Sequence, residues 1–158
     1  MSRTLPLALL LFAAAGAAHG QTGDPTPPAS AVAPDPQLAG AWELADGPVA
    51  IPRDDVEMTL DRMSLEIGAA GGEGAPVPQA FEVRTVQEVR VGGVQRGMDA
   101  TSWCTLDETG LIACQPSHDG DPTGYGGLGR YAFDGDALTL ADPQSGMTMR
   151  LRRAEGGD

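Results

Sequence analysis

Apolar and polar residues alternate with a period of two over much of the chain, the signature of strands that turn one face to a core and the other to water. Gly40, Trp42 and Leu44 begin the pattern, and Asp46-Gly47-Pro48 supplies a turn after it. Residues 54–67 carry two periods at once. Val56, Met58 and Leu60 alternate, as do Met63, Leu65 and Ile67, which gives two strands about Asp61-Arg62. Val56, Leu60, Met63 and Ile67 also fall at helical spacing, and Asp54 with Glu57 imitates a capping box. The strand reading is preferred. A loop rich in Gly, Ala and Pro spans 68–78. In 81–91 the pairs Phe81/Val83 and Val89/Val91 alternate, but the phase slips near Thr85-Val86, where a β-bulge is expected.

The residues from Trp103 to Gln115 specify a hairpin. Glu108-Thr109-Gly110 suits a three-residue loop with Gly110 in the left-handed position. That loop sets the register: Asp107 faces Leu111, Leu106 faces Ile112, Thr105 faces Ala113, and Cys104 faces Cys114. The cysteines then meet at a non-hydrogen-bonded pair, where side chains approach most closely, and a disulfide staples the hairpin. A redox-active pair would need C-x-x-C spacing, which is absent. A second hairpin follows, with Tyr131, Phe133, Leu138 and Leu140 on one face about the turn signal Asp134-Gly135. Met147, Met149 and Leu151 alternate with Thr148, Arg150 and Arg152 in a last strand. About eight short strands separated by turn signals predict an all-β fold, an antiparallel barrel or compact sandwich.

The first twenty residues break this pattern. Met1-Ser2-Arg3-Thr4 carries one positive charge, an apolar run extends from Leu5 to Ala18, and small residues surround Gly20. A charged start, an apolar stretch too short to span a bilayer and a small-residue exit read as a secretory signal peptide. The expected organisation is a signal peptide at 1–20, a Pro-rich disordered linker at 21–36, one domain at 37–154 and a tail at 155–158. The expected location is periplasmic or secreted, with no membrane span after cleavage. All basic residues are Arg, and both Lys and Asn are missing, as in a GC-rich genome. The formal net charge of −12 opposes binding to nucleic acid and to anionic membranes, and favours a basic partner.

The segment Leu38-Ala39-Gly40-Ala41-Trp42-Glu43-Leu44, after an export signal and a linker, resembles the Gly-x-Trp opening of lipocalin-like barrels. Small bacterial periplasmic inhibitors of metalloproteases share that opening. The stretch from Tyr131 to Leu140 is similar to the last strands of those barrels and of META-type domains. The resemblance implies a lipocalin-like barrel in which Trp42 plugs one end and an Arg of the last strand, Arg150 or Arg152, stacks over it. The chain departs from the inhibitor pattern in its disulfide, which lies far downstream of Trp42.

Candidate chemistry is sparse. Ser117-His118-Asp119 holds the residue types of a catalytic triad, but consecutive residues cannot form its relay, and no G-x-S-x-G elbow is present. With His19 removed with the signal, His118 is the one histidine left, so no metal site and no cofactor are expected. Asp119-Gly120-Asp121 and Asp134-Gly135-Asp136 read as turn chemistry rather than as calcium loops. The Gly-rich loop 118–129 presents Tyr125, and Tyr125 with His118 are the candidate binding residues. The expected function is a non-catalytic exported binding module, with a proteinaceous protease inhibitor as its sharper form. The alternative is a small-molecule or lipid binder using the barrel interior, lined by Met58, Met63, Met147 and Met149. The implied partner is accordingly another protein or a small apolar ligand.

Overall fold

The structure, a computed structural model, describes residues 31–115, 126–143 and 146–156. Among them are β1 (Gly40–Leu44), β2 (Val49–Ile51), β3 (Met58–Ile67), β4 (Phe81–Val91), β5 (Val94–Leu106), β6 (Leu111–Cys114), β7 (Gly126–Asp134), β8 (Ala137–Ala141) and β9 (Thr148–Arg153). Among the described residues the only helical piece is a short 3₁₀ turn, Pro36–Leu38, capped by the Asp35 carboxylate, which accepts from the Gln37 amide. The fold is all-β. Each strand pairs antiparallel with the next from β3 to β9, and β1 lies between β9 and β3, closing an eight-stranded barrel. Closure joins the two outermost strands that a flat sheet would leave as edges. The ninth strand, β2, is an addition on β3.

β3 takes two partners along one edge. Its C-terminal half pairs with β1 and its N-terminal half with β2. A β-bulge at Asp61 marks the change of partner, with the register to β4 shifting between Leu60 and Arg62. The bulge brings the two alternating runs of the sequence into phase, so Met58, Leu60, Met63, Leu65 and Ile67 all face the core. The helical spacing in this stretch is a by-product of that single extra residue.

β4 runs without interruption, and the bulge expected at Thr85-Val86 is absent. Phe81, Val83, Thr85, Gln87 and Val89 point inward in strict alternation. The apparent slip arises because two inward positions, Thr85 and Gln87, are polar while outward Val86 is apolar. Gly92 and Gly93, both with positive φ, form the tight turn from β4 to β5. The first nine residues of β5 escape the sequence reading because Val94 and Met98, their two large apolar residues, are separated by Arg96 on a face otherwise small or polar, and the other face is polar or Gly.

The hairpin of β5 and β6 has the expected register: Cys104 opposes Cys114, Thr105 opposes Ala113 and Leu106 opposes Ile112. Cys104 and Cys114 form a disulfide at a Cα separation of 4.0 Å. Gly110 has φ 83°. At the tip, Asp107 Oδ1 accepts from the Thr109 amide (2.7 Å), the Thr109 hydroxyl (2.7 Å) and the Leu111 amide (3.0 Å). In the next hairpin Tyr131 opposes Leu140 and Phe133 opposes Leu138, as the alternation requires.

The core is one cluster inside the barrel, built around Trp42, Phe81, Leu60, Leu65, Ile112, Leu138 and Leu151. Met58, Met63 and Met149 belong to it and Met147 packs against it. The segment assigned to the linker also contributes. Val32 donates its amide to Leu106 O, extending the sheet beyond the start of β4, so the fold begins earlier than residue 37.

Candidate functional site

Trp42 is buried in the core and donates its indole N–H to Leu38 O at 2.8 Å. The guanidinium over its ring belongs to Arg153, 4.0 Å from the ring centroid, and not to Arg150 or Arg152. The reason is register. Trp42 and Arg153 are direct partners in the β1–β9 ladder and share the inner face, whereas Arg152 opposes Glu43 on the outer face. Arg153 also donates to Ala39 O at 2.7 Å and Gln37 O at 2.6 Å, fastening the 3₁₀ turn over this end of the barrel. Arg150 pairs instead with Asp134 at 3.7 Å, and Arg152 with Glu43 at 2.8 Å. Continuing the alternation Met149, Leu151 by one step finds Arg153 in the sequence.

A concavity lies outside the barrel, where β3 exchanges β1 for β2. It is an open groove of about 790 Å³ between the 44–48 connection, the bulged middle of β3 and the facing part of β4. Leu44, Pro48 and Val86 supply apolar surface, and Val86 is 37% exposed. Charged residues form the rim in pairs. Arg152 meets Glu43 at 2.8 Å, Arg90 meets Asp61 at 3.0 Å and Arg62 meets Glu88 at 3.7 Å. Gln95 donates to Glu88 at 3.0 Å and the Thr59 hydroxyl to Asp61 at 3.2 Å. The Asp61 side chain is only 15% exposed, because the bulge folds it under Arg90.

The exposed pairs, Arg152–Glu43 and Arg62–Glu88, contribute about 0–1 kcal/mol each to stability. The consequence of all three pairs is electrostatic: three guanidinium groups balance three carboxylates, so the groove is locally neutral in a chain of net charge −12. Beside it, Arg84 clamps Asp99 with two hydrogen bonds, 3.0 and 2.9 Å, and reaches Glu66 at 3.4 Å. These hydrogen bonds hold the Asp99 carboxyl below the usual range and raise Arg84. The sequence signal for this surface is Glu82, Arg84, Glu88 and Arg90 on one face of β4, charges of alternating sign.

His118 and Tyr125 lie outside the described residues, as does the Asp119-Gly120-Asp121 cluster. Among the described residues there is no histidine and no free cysteine. No group of three His, Cys, Asp or Glu is placed to hold a metal ion there. No helix of the described residues is long and apolar enough to cross a membrane. What the described residues define is a closed antiparallel β-barrel with a packed interior and a neutral, charge-rimmed groove on its outer face. Comparison with known proteins finds no matching family model, no matching curated protein and no matching solved structure.

Proposed function

We propose that this protein is an exported, non-catalytic binding module that engages a protein partner on the outer face of its barrel. One observation carries the reading: the barrel interior is filled by the chain's own side chains, while the outer groove combines apolar surface with a balanced rim of charge. Protein interfaces favour such patches, apolar at the centre and polar at the edge, with arginine enriched. A small apolar ligand would instead need interior space, and Met58, Met63 and Met149 are spent on the core. The sharper form of the proposal is a proteinaceous protease inhibitor, as the Gly-x-Trp opening implies.

Native mass spectrometry of the protein gently isolated from its own cell envelope tests this. A protein-sized adduct, lost from the double variant Val86→Asp/Arg152→Glu, is the expected result. A small-molecule adduct retained by both chains would overturn the proposal in favour of an interior ligand.

A further inference from the structure

β5 outruns its neighbour β6, whereas β3 follows β4 all the way to Val91. β6 pairs with β5 over Cys104–Leu106, and the Gln115 amide donates to Trp103 O at 2.8 Å. Beyond that point, among the described residues, no strand covers the edge of β5 opposite β4. The ladder itself says which backbone groups stand free. Val91 and Val94 close a two-residue turn and so form a hydrogen-bonded pair, which makes the even-numbered residues of β5 bond to β4. The close Cys104–Cys114 contact on the other side agrees with this phase, because Cys104 then turns its N–H and C=O away from β6. Gln95, Gly97, Asp99 and Thr101 therefore aim their N–H and C=O groups outward, along an edge that has no partner strand among the described residues. A row of unpaired groups of this kind is a template for another strand.

We propose that this edge pairs with the same edge of a second copy, antiparallel about a two-fold axis at Met98. Gln95 and Thr101 lie equally far from Met98, and so do Gly97 and Asp99. This axis therefore places each of the four free residues opposite another in a hydrogen-bonded pair. An axis at Arg96 sets Arg96 against its own copy, and an axis at Asp99 sets two carboxylates face to face. An axis at Gly97 leaves Thr101 unpaired, and one at Ala100 drives the partner strand into the place of Gln115. At Met98 no like charges oppose each other: Asp99 meets Gly97 of the partner copy and Arg96 meets Ala100. The edge carries one positive and one negative residue, and Asp99 is already committed to Arg84. Val94, at 57% the most exposed large apolar residue among those described, comes to lie against Ser102 of the other copy. This edge shares Gln95 with the outer groove but uses its backbone rather than its side chain, and the inference stands independently of the partner reading above.

Met98 opposes itself at a non-hydrogen-bonded position, the geometry in which two cysteines join. Sedimentation of the oxidised protein should show a reversible dimer that tightens with added salt as the net charges are screened. Met98→Cys should give a covalent dimer under mild oxidation, while Ala100→Cys on the same face should not. Gly97→Pro removes one edge N–H per copy without touching the β4 ladder. It should raise the dimer dissociation constant at least about tenfold. A chain that stays monomeric at every concentration and forms no Met98→Cys cross-link overturns the proposal. Equal cross-linking of Ala100→Cys would do the same, as would a dimer indifferent to Gly97→Pro.

Discussion

Arg153 occupies the last inward-facing position of β9, and its guanidinium ties Trp42, Ala39 and Gln37 together. Hydrogen bonds from a charged donor to backbone carbonyls, added to a cation–π contact, exceed what a solvated ion pair supplies. Arg153→Ala should cost about 1–3 kcal/mol in urea denaturation. Arg150→Ala and Arg152→Ala should each cost about 0–1 kcal/mol, since both residues make exposed pairs. Equal losses at all three positions would contradict this ranking. Asp107 acts through its charge state. Desolvation pushes its carboxyl up, but hydrogen bonds from the Thr109 hydroxyl and the Leu111 and Thr109 amides, with nearby Arg130, outweigh it and hold it below the usual range. A carboxyl depressed in the folded state stabilises above its unfolded value of about 3.9, and that contribution is lost as pH falls through the folded value. Asp107→Asn should therefore flatten the loss of stability below about pH 4, measured by denaturant unfolding across that range.

At the scale of an element, β3 shows how one residue sets the phase of a strand. Asp61 is the extra residue of the bulge, so its removal leaves Leu60 and Met63 two positions apart and still on one face. Deleting Asp61 should cost only about 1–2 kcal/mol, from the lost Arg90 and Thr59 contacts. Deleting Ser64 from the regular part of the same strand turns one half of its core residues outward and should prevent folding. Far-ultraviolet and near-ultraviolet circular dichroism of the two deletion variants distinguishes these outcomes. A greater loss from the Asp61 deletion would show that the bulge is needed for more than phase.

For the molecule as a whole, the balance is set by a barrel that fills itself. Gln87 is 3% exposed, and its Oε1 has no hydrogen-bond partner among the described residues. An unpaired buried carbonyl carries its desolvation cost without return. Gln87→Met, close in shape and without the polar atoms, should raise stability by about 1 kcal/mol in the same urea assay. It should leave the protein unable to take up an apolar fluorescent probe. Saturable uptake by the native chain would mean that the interior opens to ligands.

The sequence alone determined the features that rest on local chemistry. The hairpin joining Cys104 and Cys114 was legible to the residue, because Gly110 fixes the loop and the loop fixes every pair outward from it. So was the shared face of Tyr131, Phe133, Leu138 and Leu140, since alternation is a property of one strand and its turn. Tertiary structure decided what depends on which strands meet. Arg153, rather than Arg150 or Arg152, covers Trp42 because β9 lies beside β1 in one register, and residues more than a hundred positions apart set that register. The polar interior of β4, the bulge at Asp61 and the outer groove likewise exist only once the barrel closes. Closure puts β1 and β2 on one edge of β3, and a period of two along the chain carries no information about that choice.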